Sequence, residues 1–292
     1  KSNTFLDMLK IRGSYGVTGN NDIENYASVN RLYPENYSFG SGTGILNAGL
    51  AQSGSTLANK AITWERTFSY NFGVDLGFLG NRFNLSAEFY NSITDQLLLK
   101  QPTLAFTGYT EFWNNIGKIE NNGFELELNL NNINKTKFQW QTSINFSRVK
   151  NKLIEFSGED RLLSYGERNE VYLAQVGQPY IQFFGYKQIG VWNTQEEIDS
   201  NASNSLDRPG GLRLLDANED GVIDDEDRVV LGNPFPDFTW GITNSFNIGN
   251  FDLSILIQGV QGIDVFNGDG HYNEVKRGNR DYVENRWISP EH

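Results

Sequence analysis

The stretch Tyr70–Tyr90, YNFGVDLGFLGNRFNLSAEFY, decides the fold. Tyr70, Phe72, Val74, Leu76 and Phe78 occupy every second position, with Asn71 and Asp75 among the residues between them. After Leu79-Gly80-Asn81 the alternation resumes, with Phe83, Leu85, Ala87 and Phe89 set against Asn84, Ser86 and Glu88. Successive side chains of a strand point to opposite faces, so this is a hairpin with one apolar and one polar face.

The same period recurs along the chain. Leu9, Ile11, Gly13, Tyr15 and Val17 alternate with Lys10, Arg12 and Ser14. Phe124, Leu126, Leu128 and Leu130 alternate with Glu125, Glu127 and Asn129, and a polar turn at 131–137 leads into Phe138, Trp140, Thr142, Ile144 and Phe146. A last pair runs from Phe238 through Trp240, Ile242, Phe246 and Ile248, turns at Gly249-Asn250, and returns through Phe251, Leu253, Ile255 and Ile257. These patterns predict seven strands.

The connections fall into two kinds that alternate. Residues 18–63, 102–113, 155–236 and 263–292 are mostly long, polar and rich in Gly, Asn, Asp and Ser, whereas the intervening turns are short. A hairpin series of this kind puts every long loop at one end and every short turn at the other, as in an outer-membrane β-barrel. Phe78, Phe83, Phe138, Trp140, Phe246 and Phe251 all lie beside short turns, where an aromatic girdle would stand. The competing reading is a soluble β-sandwich, but sandwich strands are usually about 5–6 residues and these run longer. Asp75, Glu88, Glu125 and Glu127 on the opposite face suit a water-lined lumen rather than a dry core. The expected fold is therefore all-β, a transmembrane antiparallel barrel with long extracellular loops.

Composition narrows the function. The 292 residues include 20 Phe and 13 Tyr but one Met, carry a formal charge of −12, and contain no cysteine. No basic cluster offers a nucleic-acid surface, and disulfides, thiolate metal sites and thiol nucleophiles are absent by composition. No apolar run approaches the roughly 18 residues of a membrane-spanning helix, and KSNTFLDMLK at the start has no signal-peptide core. RWISPEH at the end reads as mid-loop text, so the chain is expected to be part of a larger protein. The run GSGTG at 40–44 lacks the helix and lysine of a phosphate loop. His271 and His292 are isolated, and no pair of carboxylates is singled out for acid–base work, so no enzymatic activity is expected.

Within the loop 155–236, Thr194-Gln195-Glu196-Glu197-Ile198 reads as a helix start with Thr194 as N-cap. The loop also carries DANEDGVIDDED, residues 216–227. Asp216, Asn218 and Asp220 stand at positions one, three and five of a calcium loop, with Gly221 at the sharp turn. The Val222 carbonyl, Asp224 and Asp227 complete the spacing, although Asp227 is shorter than the usual bidentate Glu. A bound Ca2+ is expected to be structural, and the competing reading is a solvated acidic turn.

LKIRGSYGVTGN (9–20), NIGKIENNGFELEL (115–128), FFGYKQIGVWNTQEEI (183–198), LRLLDANEDGVIDDEDRVVLGNPFPDFTWGITNSF (212–246) and FDLSILIQGVQG (251–262) together resemble the SusC/RagA family of TonB-dependent outer-membrane importers of Bacteroidetes. The resemblance implies the C-terminal portion of a large plugged barrel of about 22 strands, with residues 1–292 as a partial barrel domain and 155–236 as a structured extracellular loop. It also implies uptake of an oligosaccharide or peptide, energised by TonB through a plug absent from this chain, beneath a SusD-like lipoprotein. The walls would face outer-membrane lipid. The alternative from another class is a secreted calcium-stabilised β-protein acting as a carbohydrate-binding or adhesive module.

Overall fold

A computed structural model describes residues 5–30, 33–38, 46–51, 56–156, 161–166, 171–267 and 287–290. The GSGTG run and both histidines lie outside the described residues. The chain divides into two compact units, Lys1–Asp160 with Trp240–Ile257, and Arg161–Thr239 with Gln258–His292.

A seven-stranded sheet dominates the first unit. Its strands are β1 (Leu6–Asn20), β2 (Glu65–Phe78), β3 (Phe83–Asp95), β4 (Lys118–Lys135), β5 (Phe138–Glu155), β6 (Phe238–Ile248) and β7 (Phe251–Gln261). Each pairs with its neighbour in sequence, so the sheet is an open meander edged by β1 and β7. All seven predicted strands are present. β4 and β5 are longer than their apolar pattern, at 18 residues each. The expected turn 131–137 shrinks accordingly: β4 continues to Lys135, and an extra residue, Asn132, bulges opposite the Trp140–Gln141 step and shifts the alternation of β4 so that Ile133 faces Trp140.

The register lines up one face across the strands. Ile11, Val74, Ala87, Leu126 and Phe146 form one row, and Leu9, Leu76, Leu85, Leu128 and Ile144 form the next. This face is uncovered: Ile11 is 65% exposed, Phe72 55% and Phe89 52%. A contiguous apolar face of this extent has no place in water, and in an outer-membrane barrel it is the lipid-facing surface. Near the short turns Phe5 and Phe78 stand 5.2 Å apart, and Trp140 stacks on Phe246 at 5.7 Å. The expected girdle is thus a set of aromatic contacts as well as a row of positions.

The turn from β2 to β3 bends through three successive positive φ angles, at Leu79, Gly80 and Asn81. Such a bend aims backbone N–H groups at one point. Asp7 Oδ2 occupies it, accepting from Gly80 N at 2.6 Å and Asn81 N at 3.1 Å.

The connection 96–117 contains Leu98–Pro102 paired with Glu111–Asn115, and the latter also pairs in parallel with Thr56–Leu57. Tyr33–Ser38 and Leu46–Ala51 form a separate hairpin. These elements correct the reading of 18–63 and 102–113 as plain loops. Leu98, Ile116, Ile119, Leu153 and Phe156 are buried at the long-loop end of the first unit, where Ile119 pairs with Leu153.

The second unit holds a four-stranded sheet of Arg161–Tyr165, Val171–Gln175, Gln182–Gly185 and Val229–Gly232. Gln188–Val191 pairs with Leu212–Leu214, and a short helix runs Gln195–Asp199. Thr194 caps that helix through its hydroxyl, which accepts from Glu197 N at 3.2 Å. Glu197 reaches back to Asn193 N at 2.9 Å, one residue beyond the usual capping-box partner. Trp192, Ile198 and Ile223 are buried, Trp192 at 1% exposure. The loop is a folded element, as its helix signal required.

Candidate functional site

The polar face of the wall carries the first candidate site. Lys10, Asp75, Ser86, Glu127 and Asn145 share one row, and Arg12, Gly73, Glu88, Glu125 and Ser147 share the next. All four carboxylates expected to face the lumen therefore stand together. Arg12 is their hub. Its Nη1 donates to Glu88 Oε2 at 3.0 Å and its Nη2 to Asp75 Oδ1 at 3.0 Å, and Ser86 Oγ donates to Asp75 at 2.8 Å.

Gly73 makes the hub possible. A Cβ there would lie 3.0 Å from Arg12 Cζ, so glycine leaves the guanidinium room to cross β2 between two acids, and any side chain would push it aside by a few tenths of an ångström. Lys10 Nζ adds a looser contact to Asp75 at 3.8 Å. Glu125 and Glu127 accept only from neutral groups, Ser147 at 3.5 Å and Asn129 at 2.7 Å, and neither has a cationic partner among the described residues. A groove of about 460 Å³ runs between Arg12, Glu88, Glu125, Glu127 and Asn145. The arrangement can hold cationic or hydrogen-bonding groups in water. The role of Arg12 was hidden in the sequence because its partners lie on β2 and β3, more than 60 residues away.

The acidic loop of the second unit is the other candidate. Asp216 Oδ2 accepts from Gly221 N at 2.9 Å, which closes the sharp turn, and Gly221 has φ +87° as that turn demands. Asn218 and Asp220 bind each other, with Asn218 Nδ2 donating to Asp220 Oδ2 at 3.0 Å. Asp220 Oδ1 accepts from Val222 N at 2.8 Å, and Val222 forms a bridge with Ser203. Asp224 caps the 3₁₀ turn Asp225–Asp227, accepting from Glu226 N at 2.8 Å.

Asp227 is fully buried. Its oxygens accept from Asp224 N and Ala217 N, each at 2.8 Å. The Asp224 N–H, opposed by burial and helped by the Ala217 and Asn218 N–H groups and the Asp216 carboxyl, holds its pKa below the usual carboxylate range. Asp216 and Asp227 thus meet, and Asp216 Oδ1 is buried without a donor. Asn218 and Asp220 form a second pair, while Asp224 is turned to the backbone. Among the described residues no three His, Cys, Asp or Glu side chains converge as a metal centre. The fit to a hard cation therefore rests on Asp216 Oδ1, on its proximity to Asp227 and on the all-oxygen character of the set.

Comparison with known proteins follows the same lines. The profile of the TonB dependent receptor-like β-barrel matches residues 4–221. TonB-dependent receptor P26 of Formosa agariphila is 34% identical over 269 residues, covering 89% of this chain and 26% of that protein. TonB-dependent receptor SusC of Bacteroides thetaiotaomicron is 27% identical over 268 residues, covering 87% of this chain and 25% of that protein. The solved structure of the RagAB peptide transporter shares the fold, with a TM-score of 0.70 at 21% identity, over 94% of this chain and 29% of that one. The chain spans about a quarter of the length of these curated relatives.

Proposed function

Because the chain belongs to the TonB-dependent receptor β-barrel family of outer-membrane proteins, we propose that it supplies part of the wall and mouth of a TonB-energised nutrient importer. The observation that carries this reading is the wall itself, whose uncovered apolar face backs onto a face lined by Arg12, Asp75, Glu88, Glu125 and Glu127. A sheet wet on one side and greasy on the other suits a channel through lipid. The same face counts against the secreted-module alternative, since a protein released into water would have to cover it.

The cargo is an oligosaccharide or a peptide, taken beneath a SusD-like surface lipoprotein and drawn in when TonB acts on a plug outside this chain. Support for the lid comes from the topology, in which the connections β1–β2, β3–β4 and β5–β6 all leave one end of the sheet. The curated relatives compared above are named as receptors and the solved structure as a transporter, and in line with them the chemistry is binding and gated passage without covalent steps. Photo-cross-linkers placed in 18–63, 155–236 and 263–292 of the complete receptor should recover the lipoprotein. Efficient cross-links from 79–81 or 249–250 instead would invert the topology and sink the reading.

A specific observation favours a cation in the acidic loop: the buried Asp216 Oδ1 that no donor meets. Calcium is the hard divalent ion suited to Asp216, Asn218, Asp220, the Val222 carbonyl and Asp224 or Asp227, through six or seven oxygens at about 2.3–2.6 Å. Its role is to order the loop by relieving the repulsion of clustered carboxylates. Bound calcium stabilises the ordered loop by an amount that grows with the logarithm of its concentration above the dissociation constant. A chelator should therefore raise hydrogen exchange in 210–230 and leave the wall strands protected. Asp216→Asn with Asp220→Asn should do the same. Identical exchange in calcium, in chelator and in the double variant would leave only a solvated turn.

A further inference from the structure

The outward face changes character along the strands. Counting from the short turns, the rows are apolar up to Phe72, Phe89 and Phe124, and the next row carries Tyr15 and Tyr70, whose rings stand 4.8 Å apart. In that same row the face turns polar on β3 and β4 through Asn91 and Asn122, and in the rows above, Val17, Phe68 and Ile93 give way to Glu120 and Lys118 on β4. On β5 the change is sharper. Arg148 registers with Phe124, Lys150 with Asn122 and Lys152 with Glu120, so three cations stand at alternate positions on the face that points to lipid.

All three are exposed. Among the described residues no carboxylate makes a salt bridge with any of them, although Lys10, Arg12, Arg66, Lys100 and Arg228 are each paired with acids. Unpaired outward cations are unexpected in a chain with 36 acidic and 24 basic residues. Beside them a shallow groove of about 390 Å³ is floored by Phe68, Tyr70, Ile93 and Ile154, with Lys118, Glu120 and the Arg66-paired Asp95 at its polar rim. An ammonium or guanidinium on a barrel exterior reaches the membrane surface by extending its alkyl stem along the apolar wall. Long loops are extracellular in such barrels, so these cations lie at the outer-leaflet interface.

We propose that Arg148, Lys150 and Lys152 form a docking site for the phosphate groups of an outer-leaflet glycolipid, with an acyl chain in the adjoining groove. Charge complementarity selects the partner, because the position admits what lies in the leaflet plane and, among the described residues, Glu120 opposite Lys152 is the one carboxylate of β4 in register with the three cations and makes no salt bridge with them. Alternate strand positions are about 7 Å apart, so the column spans about 13 Å and meets more than one phosphate. The arrangement would fix the rotation of the barrel wall against its annular lipid, leaving the lumen untouched.

The test is lipid competition on the complete receptor in mixed-lipid nanodiscs, read by native mass spectrometry of retained lipid. The probes are a phosphorylated glucosamine-based glycolipid and the same lipid after dephosphorylation. Each surface cation contributes about a fivefold preference for an anionic lipid. Arg148→Gln, Lys150→Gln and Lys152→Gln together should therefore lower retention of the phosphorylated lipid roughly a hundredfold. The dephosphorylated lipid on the unaltered protein should behave like the phosphorylated lipid on the triple variant, which guards against misfolding of the variant. Lys187→Gln, in the second unit, should leave the retention of both lipids unchanged. Equal retention of the two lipids by the unaltered protein overturns the proposal, and so does a folded triple variant that retains the phosphorylated lipid undiminished. Capture of a neighbouring membrane protein through these residues, with no phosphate preference, would likewise overturn it.

Discussion

Arginine in place of Val74 should destabilise the membrane-inserted barrel by about 2–4 kcal/mol, and the same change at Phe78 by about 0–1 kcal/mol. Val74 sits midway between Tyr70 and Phe78 on β2, in the row Ile11, Val74, Ala87, Leu126 and Phe146. The apolar segment on either side of it covers about 27 Å of strand, close to what a tilted strand needs to cross the hydrocarbon. A guanidinium at the centre has no short path to water, whereas at Phe78 it lies beside the turn and reaches the interface. Ala87, its neighbour in the row, is small, so crowding contributes little. Urea titration of the complete receptor in bilayers reads the difference. Nitroxide labels at the same positions add an orientation test, since Val74 should meet the lipid-soluble quencher and Asp75 the aqueous one. A flat profile from Val74 to Phe78, or greater aqueous access at Val74 than at Asp75, would remove lipid from this face.

The seven wall strands were legible because lipid outside and water inside impose period two on every one of them. The pattern fades where that contrast ends. Above Phe124 the wall stands at and beyond the interface, where Asn122 and Lys150 on one side and Asn121 and Asn151 on the other are all polar. Alternation vanishes there although the ladder continues, so β4 and β5 read as shorter than they are. The sheet of the second unit was illegible for another reason. QFFG and VVLG have four residues each, too few to display a period, and Phe183 finds Gly232 only after a long excursion of chain. In the acidic loop the spacing announced the turn at Gly221 correctly. Which carboxylate turns to backbone N–H groups and which stays without a donor depends on side-chain rotation, which spacing does not encode.

Trp192→Ala should cost the second unit about 3–5 kcal/mol, the range for deleting a buried aromatic ring. Trp192 is the largest fully buried side chain described. Its backbone is held on both sides, donating to Gly211 O at 2.9 Å and accepting from Gly210 N at 2.7 Å, and the Arg213 guanidinium lies 4.9 Å from its ring. Trp287 packs where a Gly210 Cβ would stand and donates from Nε1 to Asn193 Oδ1 at 3.4 Å. Removing the Trp192 ring leaves Arg213 without its aromatic platform and opens a void where a fully buried side chain stood. The loss is confined to one unit, so it should surface as local opening rather than global unfolding. Amide exchange should rise across 188–214, including the helix Gln195–Asp199, while β2 to β5 stay protected. Trp192→Phe should be milder than its loss of ring area suggests, because Trp192 Nε1 is buried without a hydrogen-bond partner and phenylalanine carries no such donor. Cross-linking of the lipoprotein lid through 155–236 should fall in the alanine variant in proportion to the opened fraction. If exchange in 188–214 is unchanged by Trp192→Ala, the ring is not what holds this loop in shape. If instead exchange rises equally in the wall strands, the second unit is not an independent folding element, and the lid would be expected to respond to changes anywhere in the barrel.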